Sequence, residues 1–171
     1  MRKITLSLTL LLSFLFTSAV MAKVVRVEVR KSNRVMELID HKGEVIRTYD
    51  VMLGQSPIGP KVQRGDNKTP EGKYKINWRN PKSSYFLSLH ISYPNKEDRQ
   101  NSRDLGVDPG DNIFIHGLPN KIQRLSSFDR RIAESILLST DWTNGCIAVS
   151  NKDMQEIWDL VPNGADIEIL P

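Results

Sequence analysis

The single cysteine of this 171-residue chain, Cys146, follows Gly145 and precedes Ile147-Ala148-Val149, a pattern in which a tight turn runs into a short strand. A thiol placed there can act as an acyl-transfer nucleophile, because the N–H groups of the turn can converge on the oxyanion formed when a carbonyl is attacked. His116 is the matching base. The apolar run Ile113-Phe114-Ile115 ends in His116 and then Gly117. A strand end is a rigid place from which to aim an imidazole that takes the thiol proton and pairs, as imidazolium, with the thiolate. The competing reading is structural: a lone cysteine packs as a small apolar residue, and a buried histidine is satisfied by a backbone carbonyl.

Positioning these groups requires a framework of strands. Val25, Val27 and Val29 alternate with charged residues, Val35 to Ile39 follows a turn at Lys31–Arg34, and Glu44 to Leu53 follows the turn His41-Lys42-Gly43; together they predict a meander of hairpins. The Gly- and Pro-rich stretch Gly54–Gly72 is a long loop of the kind that carries function. It ends in a strand in which Tyr74, Ile76 and Trp78 share one face. From Tyr85 to Tyr93, Leu87, Leu89, Ile91 and Tyr93 share a core face, and Ser88, His90 and Ser92 share a polar one on which His90 is solvated or lines a cleft. Pro94–Gly110 reads as a second long loop. Ser126–Leu138 reads as a packing helix, with Phe128, Ile132, Ile136 and Leu137 at helical spacing. A further helix begins at Ser150 with Met154, Ile157, Trp158 and Val161 inward, and Ile167 and Ile169 supply a last strand.

The N-terminus adds a compartment. Arg2 and Lys3 precede an apolar run from Ile4 to Phe16, and Val20-Met21-Ala22 offers small residues for cleavage, so residues 1–22 read as a signal peptide and 23–171 as one exported domain. The apolar run is shorter than the roughly 20 residues of a membrane span, so no stable span is expected after cleavage. The formal net charge of +4 falls to +2 without Arg2 and Lys3, too small and too scattered to imply nucleic acid.

Three segments match a known family in order. Gly65-Asp66 with Thr69-Pro70-Glu71-Gly72-Lys73-Tyr74, then Ile115-His116-Gly117, then Thr143-Asn144-Gly145-Cys146-Ile147 followed by a helix, resemble the YkuD-type catalytic domain of the L,D-transpeptidases. The common family form carries a histidine where Asn144 stands and an arginine where Ala148 stands, which marks a divergent subgroup. The resemblance implies a mostly β fold, a YkuD-like β-sandwich or barrel-like domain with a few short helices. It implies that Cys146 attacks the L-centre carbonyl of diaminopimelate in a peptidoglycan tetrapeptide stem and expels D-alanine, with His116 as base. N–H groups around Gly145 and Cys146 would bind the oxyanion, Thr143 would orient histidine or substrate, and Asn144, Gly117, His90 and Tyr93 are further candidates for substrate contact. The acceptor stays open: a diaminopimelate amine, a lysine of a wall-linked lipoprotein, or water, the last making a carboxypeptidase or amidase. No metal or organic cofactor is called for, three scattered histidines giving no zinc spacing. The place of action would be the periplasm. Sortases need an arginine after the cysteine, and none follows Arg131; papain-like hydrolases reverse the order of cysteine and histidine. The non-enzymatic alternative is a periplasmic peptidoglycan-binding domain in which both residues only pack.

Overall fold

The computed structural model describes residues 23–171, and the expected signal segment 1–22 lies outside the described residues. The chain opens with the anticipated meander of β1 (Val24–Arg30), β2 (Val35–Asp40) and β3 (Val45–Asp50), each antiparallel to the next. Val25 is a correction. Val24 pairs with Asp40 and Arg26 with Ile39, so Val25 is the extra residue of a bulge; it turns outward while Val24 joins Val27 and Val29 in the core.

The C-terminal strand β8 (Asp166–Leu170) inserts in the middle of the sheet, parallel to β1 and antiparallel to β4 (Gly72–Asn80). Beyond β4 come β5 (Ser88–Ile91), β6 (Phe114–His116) and β7 (Ile147–Ala148), giving among the described residues one eight-stranded sheet in the order β3-β2-β1-β8-β4-β5-β6-β7. Its two edges meet. Met52, just past β3, forms an antiparallel bridge with Ala148 of β7, so the sheet curls into the barrel-like form that the family resemblance implied.

Two further details of the strands differ from expectation. A register shift between Ile76 and Trp78 takes Trp78 off the core face, where it stacks on His90 with ring centroids 5.1 Å apart. The Tyr85–Tyr93 strand is shortened to β5, because Phe86 has a φ of 63°, outside strand geometry. Leu89, Ile91 and Tyr93 are nonetheless buried.

Helix α1 (Lys96–Asp104) occupies what reads in sequence as loop. A capping box starts it: the Asn95 side chain accepts from the N–H of Glu97 and Asp98, and the Asp98 carboxylate accepts from the N–H of Asn95. Only Ser102 of this helix is buried, so there is no apolar stripe to betray it. Helix α2 (Ser127–Leu137) has the predicted limits but not the predicted packing, since it buries none of its residues. Its inner face is the half-buried set Arg130, Ala133, Glu134 and Leu137, which leaves Phe128, Ile132 and Ile136 exposed. Helix α3 (Asn151–Leu160) is capped by Ser150 and buries Met154 and Ile157 as expected. Among the described residues no helix is long and apolar enough to cross a membrane.

Candidate active site

The register of two short strands brings the chemistry together. β6 and β7 are parallel neighbours, with Ile115 opposite Ile147 and His116 opposite Ala148. Cys146 therefore stands immediately before β7 and beside β6, while His116 ends β6. Their side chains line one cleft of about 380 Å³, together with Tyr85, Asn112, Phe114 and Trp142. Cys146 also borders a second cleft of about 360 Å³ whose walls include Lys61, Arg64, Asn67, Asp111 and Asn144. The sulfur is thus reached from an aromatic side and from a charged side.

The cysteine turn is held from within. The buried Thr143 hydroxyl donates to the Cys146 carbonyl at 2.7 Å and accepts from the Gly145 N–H at 3.1 Å. Gly145 has a φ of +127°, and a Cβ there would meet the Lys68 carbonyl oxygen at 2.6 Å, so glycine is required by both backbone conformation and space. With its N–H engaged by Thr143, Gly145 shapes the turn.

The long loop before β4 forms the other side. Thr143 exchanges backbone bonds with Leu53 and Gln55 (3.1 and 3.0 Å), and the Gly54 N–H donates to the hydroxyl of the buried Thr69 at 3.0 Å. Asp66 gathers the loop, accepting from Lys61 at 2.8 Å and from the N–H groups of Val62, Gln63 and Lys68. Burial works against its charge, but these donors hold the Asp66 carboxyl below the usual carboxylate range. Lys31, buried, donates to the carbonyls of Gly59 and Thr69 and to Glu71 at 2.7 Å; burial still lowers its pKa.

The protonation states depart from the ion pair expected from sequence. Burial pushes the His116 imidazole down to about 4, outweighing the opposite pull of its bond to the Gly117 carbonyl, and burial pushes the Cys146 thiol up against the lowering influence of the Phe114 N–H and Lys61. At neutral pH the resting pair is a thiol and a neutral imidazole. His116 Nδ1 lies 2.7 Å from the Gly117 carbonyl. A carbonyl only accepts, so the proton sits on Nδ1 and Nε2 carries the free lone pair.

Of the other sequence candidates, Asn144 is exposed, borders both clefts and accepts from Gln55 Nε2 at 3.3 Å. Gly117 serves packing: a Cβ there would lie 2.5 Å from Asn151 Oδ1, the atom that also caps the Leu118 N–H. Neither His90 nor Tyr93 lines the two clefts. His90 is held by Asn77 at 2.6 Å and by Trp78, with burial lowering its pKa, and Tyr93 donates from the core to the Pro109 carbonyl. Sequence reasoning missed Tyr85 and Trp142, whose rings lie 4.6 and 5.6 Å from that of His116. Trp142 sat within the cysteine motif as a visible signal; Tyr85 reaches His116 only through the pairing of β5 with β6, in which Ser88 faces His116.

The family model described as the YkuD L,D-transpeptidase catalytic domain matches residues 24–169. YafK of Escherichia coli K12, whose name assigns it provisionally to the L,D-transpeptidases, is 26% identical over 151 residues, which are 85% of this chain and 50% of YafK. The chain spans about half the length of the curated relatives it matches. Among solved structures, the helical cell shape determining protein Pgp2 of Campylobacter jejuni superposes with a TM-score of 0.60 at 24% identity, covering 85% of this chain and 47% of Pgp2. An L,D-transpeptidase from Mycobacterium smegmatis gives 0.54 at 15% identity, covering 88% of this chain and 59% of that one. These two likenesses are of fold.

Proposed function

Because the chain belongs to the family of L,D-transpeptidase catalytic domains, we propose that it transfers acyl groups on peptidoglycan stem peptides through a thioester at Cys146, after export to the periplasm as residues 23–171. The observation that carries this reading is that Cys146, whose thiol donates to the Asn112 carbonyl at 3.7 Å, and His116, with Nε2 unprotonated, line one cleft. Nε2 takes the thiol proton as sulfur adds to the L-centre carbonyl of diaminopimelate, and returns it to the nitrogen of D-alanine as that C–N bond breaks. The thioester remains. An acceptor amine then attacks, gives its surplus proton to Nε2, and the thiol re-forms. Since burial keeps both groups neutral at rest, proton transfer accompanies attack. The Cys146 N–H supplies the oxyanion contact, with the Gly145 N–H committed to Thr143.

The second cleft on the same sulfur favours an amine acceptor over water, because a two-substrate transfer needs a separate approach for the second substrate. Tyr85 and Trp142 enclose the base and limit water around it. Mass spectrometry of wild type and Cys146→Ala with disaccharide tetrapeptide containing diaminopimelate tests the proposal. Wild type should show a transient adduct short of D-alanine, then cross-linked dimer; Cys146→Ala should show neither. Tripeptide and free D-alanine without dimer would move the reading to a carboxypeptidase. Equal binding by both proteins with no adduct would replace it with a wall-binding domain.

A further inference from the structure

Helix α2 is amphipathic with its apolar stripe turned away from the protein. Phe128, Ile132 and Ile136 are 63%, 45% and 57% exposed, and Leu125 and Leu138 extend the stripe beyond each end of the helix. Between them lies a shallow hollow of about 270 Å³ bordered also by Arg131 and Ser135. An aqueous surface has no use for three turns of apolar side chain on one line, and the half-buried inner face already supplies the contact with the body.

Two observations identify the cover. The first is size: a helix of 11 residues presents a strip about 16 Å long and 10 Å wide, far below the roughly 800 Å² per partner of a stable protein interface. A second copy or a folded protein would need contacts this strip does not provide. The second is charge. The exposed charges along residues 121–138 are Lys121, Arg124 and Arg131 against Asp129, a surplus of two positive charges, while Arg130 and Glu134 belong to the half-buried inner face. Arg131 borders the hollow itself, where two-fold pairing of helices would bring like charges together. A basic strip of this kind, with a phenylalanine at one end, matches the interface of a bilayer rich in anionic phospholipid.

We infer that α2 docks the protein on an anionic membrane surface, with Phe128, Ile132 and Ile136 at the level of the acyl-chain boundary and Arg131 among the lipid phosphates. The inference is independent of the reaction proposed for Cys146. Because no residue of α2 lines the cleft that holds Cys146 and His116, docking would leave both reacting groups untouched.

Cosedimentation of the chain beginning at Lys23, which contains every described residue, with vesicles of phosphatidylglycerol and phosphatidylcholine tests it against vesicles of phosphatidylcholine alone. The protein should pellet with the anionic vesicles only, and about 0.5 M NaCl should weaken binding. Ile132→Asp should lower the partition coefficient more than tenfold and Arg131→Gln roughly fivefold, with circular dichroism unchanged. Should Ile132→Asp lose helix, Ile136→Asp and Arg131→Gln decide the matter. Wild type that stays in the supernatant, folded variants that pellet as wild type does, or a concentration-dependent dimer formed through α2 in place of vesicle binding would each overturn the inference.

Discussion

The loop 54–71, which lines the charged cleft at Cys146 through Lys61, Arg64 and Asn67, and helix α2, which lines neither cleft, are physical opposites. The loop contains no helix or regular strand, yet Lys31, Asp66 and Thr69 bind its backbone from several directions. The helix has a regular backbone and a Ser126 cap, yet buries none of its residues. Local regularity and tertiary anchoring are therefore separate properties here. What fixes a segment in place is the number of side-chain hydrogen bonds that tie its backbone, whether from within, as with Asp66 and Thr69, or from outside, as with Lys31, and on that measure the irregular segment is the firm one.

The most forceful way to break this contrast is Lys31→Met. It leaves Glu71 without its partner and two loop carbonyls without a donor, and should cost about 3 to 5 kcal/mol by analogy with other broken buried pairs. Urea unfolding would measure the loss; a change under 1 kcal/mol would mean that the loop is held by something other than its side-chain ties.

A pH series sharpens the contrast by reporting on the core beneath the loop. With His116 at about 4 when folded and near 6.5 when unfolded, the unfolded chain takes up a proton that the folded one refuses as pH falls below 6.5. Stability is thus full above pH 6.5 and declines toward pH 4, by about 3 kcal/mol from this group. The difference in urea midpoint between wild type and His116→Gln should shrink over that interval as the wild type weakens. A constant difference would place His116 in a more open setting.

Much of this arrangement was legible in the sequence, and the rest was not for identifiable reasons. The strands β1 and β2, the Gly-Cys turn, the strand ending in His116 and the Ser150 cap are local patterns, and they appear at the expected places. The outward turns of Val25 and Trp78 come from bulges, which depend on pairing partners remote in sequence. Helix α1 escaped because it has no apolar face, although Asn95 and Asp98 spelled its start. The neutral thiol and imidazole could not be read either, since burial sets them. Tyr85 joined His116 only through tertiary pairing.

A smaller effect comes from Gly54→Ala. The new Cβ would sit 2.1 Å from the Asn67 carbonyl oxygen, a backbone atom that moves only if the loop moves. About 2 kcal/mol is the expected cost of such overpacking, visible as a lowered unfolding midpoint. Gly43→Ala makes the contrast, because its Cβ meets nothing within 4 Å while its φ is +84°; it carries backbone strain without a clash, whereas Gly54, with no positive φ, carries the clash without the strain, so a larger loss at Gly54 reports the clash. Equal losses would mean the loop yields as freely as a surface turn.

The smallest expected change is the most informative about α2. In a packed helix, replacing a central isoleucine with serine removes several methylenes from the core and costs about 2 to 4 kcal/mol. Ile132 is 45% exposed on a helix with no buried residue, so Ile132→Ser should change stability in water by no more than about 0.5 kcal/mol. The direction can even be favourable to solubility, because the substitution shortens the apolar stripe. The matching substitution on the capped helix α3, Ile157→Ser, removes a side chain with 0% exposure and supplies the internal standard. If the two variants lose comparable stability, α2 packs as firmly as α3 and the contrast with the loop fails; if only Ile157→Ser is costly, the stripe on α2 contributes little to folding and is free to serve a surface.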